Sequence, residues 1–170
     1  MSVIVRGAPS ITTNGMMIWA DGGAIYSGSN SAFTYKTNVR VADPQMFLQC
    51  ELLTAFYNTN DNRLDMIVAE DKVMLLSQGR QILGDRAVYT ASNDTVVVTG
   101  ETVFLIDSRA TLFGTQFVFD RKSGTAHSVG PVTTLLEAEG GFSPTDALKP
   151  IGGNQKALSP TNQTAPPRKN

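Results

Sequence analysis

The chain has 170 residues, 41% of them hydrophobic and 17% charged, an ordinary balance for a folded domain with a core of its own. Fourteen lysines and arginines against fifteen aspartates and glutamates leave a net charge of -1; no basic stripe interleaved with aromatics offers a phosphate backbone a grip, which excludes nucleic acid as a partner. The single cysteine, Cys50, excludes an internal disulfide, and no apolar run approaches the roughly 20 residues of a membrane-spanning helix.

Met1-Ser2-Val3-Ile4-Val5-Arg6 lacks the charged head and apolar core of a signal peptide. That leaves either a cytoplasmic residence or an export signal lying outside this sequence. Residues 1–32 read as an N-terminal partial repeat with an opening strand at Met16-Met17-Ile18-Trp19. Ala24-Ile25-Tyr26, followed 13 residues later by Val39, matches Ala87-Val88-Tyr89, followed 14 later by Val103.

From 33 to 138 the chain is a repeat. Val39, Val73 and Val103 are spaced by 34 and 30 residues, and Cys50, Gly84 and Gly114 keep the same two intervals. An insertion at Asn58-Thr59-Asn60-Asp61-Asn62 accounts for the longer one. A period in this range means stacked supersecondary units, none of which can bury its apolar face alone. Function then lies along a surface or groove and not in a single pocket.

Within the repeats the pattern is strand after strand, clearest at Thr95–Thr99, Thr102–Ile106, Thr111–Phe113 and Gln116–Phe119. Turn residues separate them at Ser92-Asn93-Asp94, Asp107-Ser108-Arg109 and Asp120-Arg121-Lys122-Ser123-Gly124. Apolar residues stand at both parities in Val73-Met74-Leu75-Leu76 and Val103-Phe104-Leu105-Ile106, the pattern of strands with apolar surroundings on both sides. A folded-over sheet enclosing an apolar interior is expected. Past 138 five of the eight prolines gather among glycines, threonines and asparagines, which predicts a disordered tail over 139–170.

Chemistry is sparse. His127, the only histidine, stands at a strand position of its repeat with no nucleophile paired to it in the sequence, and one His with one distant Cys is no zinc ligand set. Asn58–Asn62 resembles the start of a calcium loop, but Arg63 stands where the turn glycine belongs. Glu70-Asp71, Asp85, Glu101, Asp107 and Asp120 recur at matched positions, which reads as solvation of strand ends and turns. Gly84, Gly100 and Gly114 precede no helix and suggest bulges or bends where a sheet curls. Cys50, in Leu48-Gln49-Cys50-Glu51-Leu52, reads as packing. No catalytic residue, metal site or cofactor is expected, and the chain does not read as an enzyme.

The run Gly84-Asp85-Arg86-Ala87-Val88-Tyr89, followed by Val96-Val97-Val98-Thr99-Gly100-Glu101, resembles the OstA-like (LptA) family of lipopolysaccharide transport proteins. The cadence echoes in Asp65–Val73 and in Gly114–Asp120, so the resemblance covers residues 33 to 132. It implies a twisted, slightly open antiparallel β-jellyroll, all-β, working in the periplasm. It also implies an apolar trough along which acyl chains slide, and terminal strands that pair edge to edge with other jellyroll transport proteins or with further copies of the chain. The leading expectation is a non-enzymatic carrier of lipopolysaccharide or a similar amphiphile, with Val73, Leu75, Val88, Val96, Val98, Val103, Leu105, Phe117 and Phe119 lining the groove. The rival is a structural β-repeat scaffold that assembles by strand edges and holds no ligand.

Overall fold

The computed structural model describes residues 2–5, 15–61 and 63–136; the expected disordered tail lies outside them. Eleven strands and no helix are found among the described residues: β1 (Ser2–Val5), β2 (Met17–Trp19), β3 (Ala24–Ser27), β4 (Ala32–Ala42), β5 (Met46–Tyr57), β6 (Leu64–Ser77), β7 (Arg80–Thr90), β8 (Thr95–Asp107), β9 (Ala110–Asp120), β10 (Thr125–Ser128) and β11 (Thr133–Leu136). All pairings are antiparallel and follow chain order from β3 to β10, with β1 outside β3, β2 beside β4 and β11 beside β9. From β3 to β10 consecutive strands are neighbours, so each repeat is a hairpin.

The landmarks of the repeat turn out to be cross-strand partners. Val39 faces Cys50, Val73 faces Gly84 and Val103 faces Gly114. Beside each pair the register slips, between Lys36 and Val39, Glu70 and Val73, and Thr99 and Val103. These slips are β-bulges, which bend a strand and raise its twist. The short strands read from the sequence are therefore joined: Thr95–Thr99 and Thr102–Ile106 are two limbs of β8, and Thr111–Phe113 and Gln116–Phe119 are two limbs of β9. Glycine at 100 and 114 looks like punctuation in one dimension but marks a crease in a continuous strand.

Bending every long strand at the same level folds the sheet over on itself. The first arm holds residues 32–36, 52–57, 64–70, 86–90, 95–99 and 116–120; the second holds 39–42, 46–50, 73–77, 80–84, 103–107 and 110–114. Buried residues from both arms form one cluster, in which Tyr35, Leu53, Val98 and Phe117 of the first arm and Val39, Leu75 and Val103 of the second are between 0 and 2% exposed. The crease is tight: a Cβ on Gly84 would lie 2.6 Å from Val98 Cγ1 and 3.5 Å from Val103 Cγ2.

The crease carries backbone strain that the carboxylates relieve. Thr37, Asn38, Asp71 and Lys72 take φ values of 66, 49, 64 and 54°, a left-handed conformation costly for residues other than glycine, most of all for β-branched Thr37. Glu51 Oε2 accepts the Asn38 N–H at 3.3 Å, and Asp85 Oδ2 accepts the Glu101 N–H at 3.0 Å. Backbone donors freed by the bulges thus find acceptors. The recurring acidic residues expected at strand ends and turns are in part mid-strand, because the bulge line falls there.

The two-parity apolar pattern also has a different cause from the one expected. Met74, Leu76, Phe104 and Ile106 point away from the core, and Leu76 is 40% exposed. The outer surface of the second arm is an apolar but solvent-facing sheet, with Phe104 and Phe113 in edge contact at 5.3 Å.

Candidate functional site

Eight of the nine residues expected to line a groove converge on the space between the arms: Val73, Leu75, Val96, Val98, Val103, Leu105, Phe117 and Phe119 are between 0 and 5% exposed and belong to the one core cluster. Val88 does not join them. In β7 the inward positions are even at Ile82 and Gly84 and odd at Ala87 and Tyr89, because the bulge shifts the alternation. Val88 therefore packs on the outer face between Val68 and Val97, and Ala87 takes the inward place.

Hydrogen-bond registry aligns the inward residues in rows across the strands. In the second arm Ile18, Val41, Leu48, Leu75, Ile82, Leu105 and Leu112 are successive cross-strand partners, and the next partner, on β11, is Thr134. At about 4.8 Å per strand this aliphatic track from β2 to β9 is roughly 29 Å long. In the first arm Tyr26, Phe33, Ala55, Ile67, Tyr89, Val96, Phe119 and Ala126 form the facing track. No charged side chain interrupts either row.

Between the rows the arms are closed on one another. Tyr35, Leu53, Leu75, Val96, Val98, Val103 and Phe117 have no exposed surface. The Tyr35 hydroxyl is buried without a hydrogen-bond partner, and burial, then the neighbouring Tyr57, holds its pKa well above the usual phenol value. Burial also pushes the Cys50 thiol up to about 12, so Cys50 is inert packing, as its sequence context indicates.

The arms meet along a seam of turn residues that differs from end to end. Near β4 the seam is locked. Arg121, in the turn after β9, donates from Nη2 to Asp43 Oδ2 at 2.5 Å and from Nη1 towards Asp94 Oδ1 at 3.2 Å, with its guanidinium 5.1 Å from the centre of the Tyr89 ring. Arg121 is 8% exposed and Asp43 6%. Burial, then the charge of Asp94, raises the pKa of Tyr89 against the opposing pull of Arg121. Asp43 belongs to the β4–β5 turn of the other arm, so this cluster ties the two arms directly together.

A cavity of about 340 Å³ borders this cluster between Met16, Leu64, Tyr89 and Ala91, and beside β9 to β11 the seam opens again. A cavity of about 370 Å³ is lined by Leu105, Leu112 and Ala126 from the inner faces and by Arg80, Asp107 and Arg109 at the rim. Arg80 Nε pairs with Asp107 Oδ2 at 3.1 Å and Nη1 donates to the Gly124 carbonyl across the seam. The hydrogen bond from Arg80, then that from Ser108, holds the Asp107 carboxyl below its ordinary pKa. Arg109 is exposed and has no carboxylate within pairing distance among the described residues.

Sequence reasoning missed the arginines and Tyr35. Arg109 and Arg121 sit in clusters that read as solvated turns, and nothing local distinguishes the buried guanidinium from the free one. His127 lies exposed on β10, and no cluster of metal-ligating side chains occurs among the described residues.

The family model described as "LptA/(LptD N-terminal domain) LPS transport protein" matches residues 18–125. Among solved structures, the crystal structure of LptH from Pseudomonas aeruginosa superposes with a TM-score of 0.62 at 13% identity, covering 72% of this chain and 95% of that one. It is described as the LptA homologous periplasmic component of the conserved lipopolysaccharide transport device. At that identity the likeness establishes the shared jellyroll fold. No curated protein sequence matches.

Proposed function

The chain belongs to the LptA/(LptD N-terminal domain) family of lipopolysaccharide transport proteins, and we propose that it is a non-enzymatic carrier in the periplasm that holds lipopolysaccharide acyl chains between the two arms of its folded sheet. The observation that carries this reading is the pair of inner apolar rows, which run without a charged side chain from β2 to β9 in one arm and from β3 to β10 in the other. Each CH₂ taken from water onto such a surface gains about 0.8 kcal/mol, with no group along the row to fix it at one point. Movement along the track then needs no covalent step.

Because the interior is closed, loading requires the arms to part. Parting exposes Val73, Leu75, Val96, Val98, Val103, Leu105, Phe117 and Phe119 together, and an acyl chain replaces the contacts each arm loses from the other. The Tyr35 hydroxyl would gain an acceptor from an ester or amide of the lipid. The sheet edges serve assembly. β10 and β11 both pair with β9, separated by Gly130 at φ 89° and by Pro131, so the last edge consists of two short strands with open backbone groups. Such an edge is a template for strand addition by another jellyroll protein or a second copy.

The closed interior also favours the second reading, a scaffold that assembles by its edges and binds nothing. Native mass spectrometry of the chain incubated with lipopolysaccharide, beside a folded Phe117→Glu variant, separates the two. A lipid adduct on the parent alone is expected. Absence of an adduct on either would leave the scaffold standing.

A further inference from the structure

The cavity beside β9 to β11 combines an apolar wall with an arginine, Arg109, that has no carboxylate within pairing distance among the described residues. Leu105 and Leu112 end the second-arm aliphatic track, whose next partner on β11 is Thr134, and Ala126 ends the facing track. Two guanidinium groups line the same cavity. Arg80 is held in place by Asp107 and the Gly124 carbonyl through Nε and Nη1, which leaves Nη2 without a protein partner among the described residues. The Arg109 guanidinium has no carboxylate within pairing distance and no hydrogen-bond partner among the described residues. With Asp107 counted, the rim carries one net positive charge beside a cavity of about 370 Å³, a volume within the range of small-molecule sites.

We propose that this mouth is a binding site for a phosphate headgroup attached to an acyl or alkyl chain. Arg109 grips the phosphate, Arg80 supplies the pre-positioned second donor, and Leu105, Leu112 and Ala126 take the first carbons of the chain. A guanidinium offers parallel N–H donors that match the spacing of two phosphate oxygens, and it sheds its water more readily than an ammonium. The chain leaves the cavity along the row that starts at Leu112, so the headgroup stays at the rim. The inference rests on the carrier reading, and it adds a polarity to it: the phosphate end of the amphiphile lies at the β9–β11 end of the sheet.

The test compares dodecyl phosphate with dodecyl maltoside, which share a chain and differ in headgroup, by calorimetry below their micelle concentrations on the whole chain. The parent is expected to bind the phosphate at least tenfold more tightly. Arg109→Gln should erase that preference and leave the maltoside unchanged; Leu112→Gln should weaken both, each variant first shown to melt like the parent. Inorganic phosphate alone should neither bind nor compete at millimolar concentration. Equal binding of the two amphiphiles by the parent, or an unaltered preference in Arg109→Gln, overturns the headgroup site while leaving the carrier reading intact. Binding of inorganic phosphate as tight as that of dodecyl phosphate overturns it in favour of a bare anion site. Failure of both amphiphiles overturns it as well, and a lipopolysaccharide adduct in the same preparation then shows that the carrier reading survives.

Discussion

Two places along the seam hold the same side chain in opposite surroundings. Arg121 is buried, shared between two carboxylates and backed by an aromatic ring; Arg80 and Arg109 stand at an open rim with one carboxylate between them. A guanidinium withdrawn from water and shared between two carboxylates acts as a bolt, since removing it strands its partners in a low-dielectric site. A guanidinium left at a rim costs little to keep and retains donors for a ligand. Where an arginine sits along the seam, and not its presence in a turn, decides which it becomes.

The largest test of that contrast is Arg121→Ala, which leaves the buried Asp43 without its partner. Denaturant unfolding should show a loss of about 3–5 kcal/mol. A loss below 1 kcal/mol would mean that the arms are not joined there. Arg80→Ala, by the same measurement, should cost about 1–2 kcal/mol, because its carboxylate can be hydrated at the rim.

A smaller effect, of opposite sign, belongs to the interior between the two ends. Tyr35→Phe removes a buried hydroxyl that has no partner and should raise stability by about 1 kcal/mol. If the variant is destabilised, the hydroxyl is satisfied in solution.

The pH dependence should have two limbs of opposite sign. At the locked end Tyr89, and in the interior Tyr35 and Cys50, have raised values. Their contribution is whole below the unfolded values of about 8.5 for a thiol and 10 for a phenol, and falls as pH rises past them while the unfolded chain ionises first. Asp107 at the open rim, Glu51 at the crease and Asp120 at the end of β9 have lowered values. Their contributions are present above the unfolded values of about 3.9 for Asp and 4.3 for Glu and are lost as pH falls through the folded values. Thermal melts across pH should show the alkaline loss to be the larger, and Arg80→Ala should flatten only the acid limb.

Much of the architecture was legible because it is local. Hairpin repeats write themselves as a period, and the aligned landmarks Val39, Val73 and Val103 with Cys50, Gly84 and Gly114 prove to be bonded partners. Turns at 92–94, 107–109 and 120–124 announce themselves through the residues that reverse a chain. The longer first interval is likewise a longer connection, 58–63 against 91–94, with the flanking strands extended. Together with the family resemblance, these local signals identify an antiparallel jellyroll built from repeats.

Side-chain direction past a crease was not legible, because one extra residue in a bulge reverses the alternation and the sequence does not mark which residue is extra. Val88 is the result: it looks as inward as Val96, yet Ala87 holds the inward place. Nor could the sequence bring Arg121 to Asp43, which lies 78 residues away, or set Arg80 and Arg109 over Leu112. The sequence by itself determined the repeat, its turns and the apolar character of the space between the arms, since from β3 to β10 neighbours in the chain are neighbours in the sheet. Only the tertiary structure decided which turns meet across the seam, because that depends on the twist and bend summed over many strands.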